Sequence, residues 1–374
     1  MDTDHGVTLS PAALTAAVHA IFLAAGSSET EATLTATQLV GANLAGHDSH
    51  GVGMVPRYID VALAGDLHLN RQPDTVLQAG AMTVLDGGMG LGQVAGHAAM
   101  QVAIAQARQH GLSLTGLRNS HHLGRIGHWA EMACAEGFVS LHFVNVISTP
   151  MVAPWGGTDA RLVTNPVAIG VPRPGQDPLL LDLATSKLAV GKVRVALNTG
   201  QTLPPGVLLD PAGRPTQDPA DLFGPRAGAL LPFGDHKGSG LALMCEILGA
   251  ALIGGPVMHA PPTSRRIVNN MLTLVIDPAR LGDAAAMQAQ IRQLLDWVQA
   301  SPPADAAQGV WVAGEAESRA RQSRAAGIAV DAATWQQLAD AARRVGIADT
   351  DWRRWARSAQ LRIGPGVAPG HHHG

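Results

Sequence analysis

The stretch GHDSHGVGMVPRYI, residues 46–59, sets His47, Asp48, Ser49 and His50 side by side at the end of a helix-like run. An imidazole titrates near neutrality, so His50 is suited to give or take a proton, with Ser49 or Asp48 near enough in sequence to orient it. The same residues admit a plainer use, because Asp48 or Ser49 can cap the helix MVPRYIDVAL, a contribution of about 1 kcal/mol. Local chemistry leaves both open. Downstream, RNSHHLGRIGHWAE brings His121, His122 and His128 together with Arg118 and Arg125. Two histidines in a loop flanked by asparagine, serine and arginine read as a polar pocket. A metal centre fits less well, since adjacent histidines on a strand point to opposite faces and neither an HExxH spacing nor a CxxC pair is present. In GDHKGSGLALM, Gly234, Gly238 and Gly240 clear space at a helix start and Lys237 adds charge. That combination can hold a phosphate, or it can be a glycine-rich helix entry with a surface lysine.

Other patterns are closer to exclusions. VLDGGMGLGQVAG has the strand, glycine cluster and helix of a dinucleotide-binding turn, but with Gly88 and Gly90 as the first two glycines the third position holds Gln93. No acidic strand end follows about 20 residues later, so a Rossmann turn is disfavoured. A Walker loop and a GxSxG elbow are both absent.

These side chains need elements to hold them. LSPAALTAAVHAIFLAAGSS places Ser10 as N-cap, Pro11 at the first helical position and Gly26 past the end. A second helix follows, with Ser28 and Glu31 spaced as a capping box. A third short helix runs to about Gly65. From about residue 74 short apolar or β-branched runs alternate with helices, which indicates an α/β architecture. TVLQAG, AMTVLDGG, LSLTGLRN, FVSLHFVNV, NPVAIGVPR, PLLLDLAT and IVNNMLTLVIDP read as strands. SKLAVGKVRVALNTG and HKGSGLALMCEILGAALIGG read as helices, and residues 203–233 as a long, Pro-rich, irregular excursion that serves as a lid or a brace. The expected division is a helical domain of residues 1–72 plus 281–360, a mixed-sheet cofactor-binding domain of residues 73–280, and a disordered tail of residues 361–374.

Composition narrows the class. The 374 residues carry 26 Lys plus Arg against 29 Asp plus Glu, so no basic field invites nucleic acid or an anionic membrane. Small molecules are the expected partners. No apolar run reaches the roughly 18 residues of a membrane span, and the first residues do not read as a signal peptide. Only Cys134 and Cys245 occur, both in helical runs, so a disulfide framework is disfavoured and a cytoplasmic setting fits.

In order along the chain, HDSHGVGMVPRYI, NSHHLGRIGHWAE, LVTNPVAIGVP, LLLDLATSKLAVGKV, HKGSGLALMCEILGAAL and AGEAESRARQ resemble the type 2 malate/L-lactate dehydrogenase family from about residue 8 to about 350. The resemblance implies NAD- or NADP-dependent interconversion of 2-oxo and 2-hydroxy acids, on a mixed-sheet nicotinamide-binding fold distinct from Rossmann and flanked by N- and C-terminal helices. A homodimer with active sites near the interface is implied too. Carried over by position, His50 matches the acid/base histidine and Ser49 its hydrogen-bonding neighbour. His122 matches a position that is catalytic in some relatives and touches cofactor in others. Thr164 falls on the substrate side. Cofactor contacts fall on His50, His122, Leu123, Gly124, Leu181, Asp182, Leu183, Ala184, His236, Lys237, Asn270, Gly314, Glu315, Ala316 and Glu317. Many relatives carry arginine where this chain has Met54, which belongs to a methionine-bearing subgroup and suits a larger or aromatic 2-oxo acid. The substrate carboxylate then needs another cation, for which Arg125 is the first candidate and Arg57 the second, because a guanidinium grips a carboxylate with two parallel bonds. Imine or ureidoglycolate-type reduction is the alternative within the family. A metal-dependent hydrolase and a catalytically silent binding protein are the alternatives outside it.

Overall fold

The computed structural model describes residues 6–350 except 225, 262 and 263, together with Trp352 and Trp355. The tail expected at 361–374 lies outside the described residues. Strand β1 (Val7–Leu9) leads into three helices, α1 (Pro11–Ala24), α2 (Glu29–Leu44) and α3 (Val55–Leu63). Ser10 caps α1 by accepting from the Ala13 N–H at 3.2 Å, with Pro11 in the first turn. Ser28 caps α2 through the Glu31 N–H at 3.3 Å, but the reciprocal half of the expected box is missing. Glu31 instead turns inward, accepting from the Ser27 hydroxyl at 2.7 Å and the Asn70 N–H at 2.8 Å. The capping role expected of Asp48 or Ser49 is also not realised. Two 3₁₀ turns, Asp48–His50 and Val52–Met54, intervene, and α3 starts after Met54 with no side-chain cap.

Next come β2 (Asp74–Ala79), β3 (Met82–Asp86), α4 (Gly92–His110), β4 (Leu112–Ser120), α5 (Gly127–Ala135), β5 (Val139–Ile147), β6 (Val167–Val171), β7 (Leu179–Leu183) and α6 (Val190–Asn198). After three two-residue strands, β8 (Leu208–Leu209), β9 (Pro215–Thr216) and β10 (Ala229–Leu230), the chain forms α7 (His236–Gly249), β11 (Val268–Ile276), α8 (Ala284–Gln299), α9 (Glu315–Arg324), β12 (Ile328–Val330) and α10 (Ala332–Arg344). The main sheet has seven strands in the order β2-β3-β4-β11-β5-β6-β7. Only β3 and β4 run parallel; every other neighbouring pair is antiparallel. A doubly wound nucleotide fold needs a mostly parallel sheet, so this is the mixed-sheet architecture.

Register explains the sheet's buried face. Leu85, Leu117, Met271 and Val144 lie in one cross-strand row, where they join Met100 of α4 and Trp129 of α5 in a single apolar core. A separate core gathers α1–α3 with Ile328, Val330, Leu338 and Trp352. The antiparallel pair β1–β12, with Val7 opposite Val330, closes it. The 203–233 excursion acts as a brace: Leu203, Val207, Leu208, Leu222 and Leu230 pack with Val193 and Ala196 of α6. Among the described residues no helix is long and apolar enough to cross a membrane.

Candidate active site

His50 occupies the turn between α2 and α3, and His122 follows directly on β4. Their rings stack at 19° with centroids 5.3 Å apart, and His50 Nδ1 lies 3.2 Å from His122 Nε2. On its other side His122 Nδ1 is 2.6 Å from the Tyr58 hydroxyl of α3, which accepts a hydrogen bond from Gln93 Nε2 of α4 at 3.1 Å. Four segments thus meet at one hydrogen-bonded row. Their approach depends on glycine at 92. A Cβ there would overlap the His122 carbonyl oxygen and come within 2.7 Å of the His121 carbonyl oxygen.

Burial governs the charge of this row. It pushes the His50 pKa down to about 4, with the His47 and Arg125 charges adding to the shift. His122 is held well below the usual range, again by burial first and then by His50, His121 and Arg57. Both imidazoles are therefore neutral at pH 7. Tyr58 is fully buried and its pKa is raised by burial, so it keeps its proton.

The structure revises how His50 is oriented. Its ring partner is His122, and no hydrogen bond joins it to Ser49 or Asp48 among the described residues. Ser49 is exposed, against Gly191 of α6. Asp48 is held away by Arg324 at 2.7 and 3.0 Å and by Asn43 at 2.6 Å. The expected carboxylate grip is revised as well. Arg125 is 3% exposed, paired with Glu131 and 3.5 Å from the Asp182 carboxylate. Its charge is spent inside the protein. Arg57, the second candidate, donates to the Arg265 carbonyl at 2.8 Å and the Ser148 hydroxyl at 3.4 Å. It has no carboxylate partner among the described residues, and its field reaches His121 and His122.

The remaining predicted positions fall into two groups. Asp182 and Leu183 end β7 and Ala184 follows it, with Leu181 facing outward at 40% exposure. Thr185 ties this end to the Thr164 carbonyl through its N–H at 2.8 Å and its hydroxyl at 2.9 Å. Thr185 also accepts from the Phe233 N–H at 3.0 Å, which docks the entrance of α7, and His236 and Lys237 are exposed there. Near the other side of β7, Gly314 has φ of 95° and lies against Pro178 and Leu180. It starts α9, where Ala316 is exposed, Glu315 accepts from Gln299 at 2.8 Å and buried Glu317 pairs with His47 at 3.0 Å. Asp182 accepts from the Gly127 N–H at 2.9 Å; burial raises its pKa while His47 and Arg125 oppose the shift.

Four positions serve the interior. Asn270 is fully buried with its amide consumed, donating to Asn145 Oδ1 at 2.7 Å and Pro256 O at 3.2 Å and accepting from Asn119 N at 2.7 Å. That makes it a brace between strands, not a free cofactor contact. Met54 is half-buried against the helical core, which lends no support to an aromatic substrate. Leu123 is buried, its N–H donating to Asn269 Oδ1 at 2.8 Å, while Gly124 turns the chain with φ of 72°. Tyr58 and Gln93 escaped sequence reasoning. The available signal was a tyrosine on the apolar face of a helix, whose hydroxyl must find a partner when buried. No group of three or more metal-competent side chains gathers among the described residues.

Comparison with known proteins places this chain in a family. The sequence profile described as malate/L-lactate dehydrogenase matches residues 9–339, and the chain belongs to that family of oxidoreductases. It is 47% identical over 334 residues to hydroxycarboxylate dehydrogenase B of Escherichia coli K12, covering 88% of this chain and 92% of that protein. It is 37% identical over 316 residues to L-lactate dehydrogenase of Cupriavidus necator, covering 84% and 90%. Among solved structures, sulfolactate dehydrogenase from Methanocaldococcus jannaschii superposes with a TM-score of 0.81 at 32% identity, covering 92% of this chain and 99% of that one.

Proposed function

We propose that the protein interconverts 2-oxo and 2-hydroxy acids with NAD or NADP, and that His50 delivers the proton to the substrate oxygen during reduction. The carrying observation is the neutral, stacked His50–His122 pair, whose His122 feels the charge of Arg57, a guanidinium with no carboxylate partner among the described residues. A 2-oxo acid presents a carboxylate next to a carbonyl. Arg57 takes the carboxylate, which sets the carbonyl oxygen against the histidines. As negative charge grows on that oxygen the His50 N–H stabilises it, and the oxyanion favours uptake of a proton from water by the imidazole; the imidazolium then passes one proton to the oxygen and is left neutral.

The residues present fit a dinucleotide. The 14-residue helix α7 opens with exposed His236 and Lys237, and open space lies beside Gly240, so the positive helix end and a lysine are available to a pyrophosphate. When bound, the reduced nicotinamide supplies the hydride for the carbonyl carbon. The chain's part is to place the carboxylate, hold the carbonyl against His50 and move one proton.

A homodimer belongs to the same proposal. Helix α8 has no buried residue, and it exposes Leu294 at 61% and Trp297 at 80%. Leu243 and Ile247 of α7 are likewise exposed, at 51% and 42%. A second copy would cover such apolar helix faces. The two buried, unpaired cysteines fit a reducing, cytoplasmic setting. The direct test follows reduced-nicotinamide absorbance with NADH or NADPH while pyruvate, oxaloacetate, 2-oxoglutarate and phenylpyruvate are supplied in turn. Turnover of at least one 2-oxo acid is expected; no turnover of any with either cofactor refutes the assignment.

A further inference from the structure

Gln93 stands where a dinucleotide fingerprint would need its third glycine, and the side chain at that place has a use of its own. It is 1% exposed at the start of α4, and its Nε2 donates to the Tyr58 hydroxyl at 3.1 Å. We infer that Gln93 is a positioning residue: by donating to Tyr58 it fixes the direction of hydrogen bonding through Tyr58 and His122, so that neutral His50 presents an N–H at Nε2.

The inference is an accounting of protons. A carboxamide nitrogen only donates, so the Tyr58 oxygen accepts from Gln93 and its single proton must point elsewhere. The near acceptor is His122 Nδ1 at 2.6 Å, with the His122 carbonyl oxygen farther off at 3.5 Å. His122 Nδ1 is then a bare lone pair. A neutral imidazole carries one proton, so His122 carries it on Nε2, which faces His50 Nδ1 at 3.2 Å. His50 Nδ1 accepts, and the His50 proton sits on Nε2. Every member of the row is fixed by the one before it. Reversal at the first member would reverse them all: with the amide oxygen toward Tyr58, His122 carries its proton on Nδ1, His50 on Nδ1, and His50 Nε2 is a bare base.

Nothing else in the row sets this direction. Tyr58 and both imidazoles can each donate or accept; only the amide group is one-way at a given atom. The far end of Gln93 is closed off, since its Oε1 is buried without a hydrogen-bond partner among the described residues. Gln38, whose amide is equally buried and has no hydrogen-bond partner among the described residues, lies with it over Gly124, where a Cβ would come 2.9 Å from Gln38 Oε1 and 3.5 Å from Gln93 Nε2. Arg57 acts on Tyr58 through its charge, but its donors go to the Arg265 carbonyl and the Ser148 hydroxyl, so among the described residues no charged group hydrogen-bonds the Tyr58 oxygen.

This rests on the reading of His50 as the acid/base group, and the experiment separates the two. The ring-nitrogen spectrum of the full-length protein labelled with ¹⁵N-histidine, at pH 7, reads the tautomers, with His50→Gln and His122→Gln used for assignment. Both rings are expected as the Nε2–H form. Either ring found as Nδ1–H overturns the inference, whatever the enzyme's activity. Gln93→Met keeps the volume and removes the donor. The Nε2–H preference of His122 is expected to be lost and kcat for 2-oxo acid reduction to fall, while KM for the 2-oxo acid is unchanged. An unaltered tautomer in that variant also overturns it. Should Gln93→Met fail to fold, the wild-type spectrum decides alone. Full activity in His50→Gln together with the expected spectrum would instead sink the acid/base reading and leave the hydrogen-bond direction standing.

Discussion

Of two arginines that could clamp a carboxylate, type and neighbourhood in sequence put Arg125 ahead of Arg57. Position separates them. Arg57→Met is expected to raise KM for the 2-oxo acid and lower kcat/KM by about 10- to 100-fold, the worth of a charge-assisted hydrogen bond, with unfolding unchanged. Steady-state kinetics of the purified variant checks this; an unaltered KM would remove Arg57 from the site. Arg125→Met should act through stability. It leaves buried Asp182 without its cation, while half-buried Glu131 keeps Arg321, and removing one partner of a buried pair costs on the order of 3–5 kcal/mol. A urea midpoint equal to wild type would contradict that. The types of the acting residues were legible in HDSHG and NSHH, because imidazoles near neutrality are few in use. Their partners were not, since pairing of His50 with His122 spans 72 positions and pairing of His122 with Tyr58 spans 64.

At the level of elements, the site exists because α4 starts hard against the chain leaving β4. Gly92→Ala would drive a methyl group into the His122 carbonyl. Reduced activity and a lowered melting temperature are expected together; a variant as stable and as active as wild type would show that the contact is dispensable. Most helices and sheet strands could be read from periodicity and caps, as with Ser10 and Pro11 ahead of α1. Two kinds of element could not. β1 and β12 are three residues each and gain their identity only from each other. The two-residue strands of the 203–233 brace are likewise defined by pairing and by the apolar cluster beneath them. Helix α8 poses a different question, for a helix with no buried side chain draws little stability from packing within its own chain. Trp297→Glu combined with Leu294→Glu should convert a dimer to a monomer in light scattering; a dimer mass in the double variant would move the interface elsewhere.

The whole molecule should be acid-sensitive in a defined direction. His142 is fully buried in the sheet and burial holds its pKa down to about 3; His121 and His128 are depressed to about 3 and about 4 by the same cause first. Below the unfolded value near 6.5 the unfolded chain takes up protons that the folded one refuses, so stability is full above that pH and falls as the pH drops toward the folded values. Between pH 7 and pH 5 each fully buried imidazole should cost on the order of 1–2 kcal/mol. Urea midpoints at the two pH values check this, and equal midpoints would contradict it. Architecture at this scale was legible as α/β and non-Rossmann, the latter from the glutamine at position 93 and from family resemblance; strand order was not, because β11 inserts between β4 and β5 from far along the chain. The central claim concerns one proton donor. Initial rates of reduced-nicotinamide loss with a turned-over 2-oxo acid, compared between wild type and His50→Gln with matching circular dichroism, test it most directly. A fall of about 10²- to 10⁴-fold in kcat is expected, and near-full turnover by the folded variant would contradict the account.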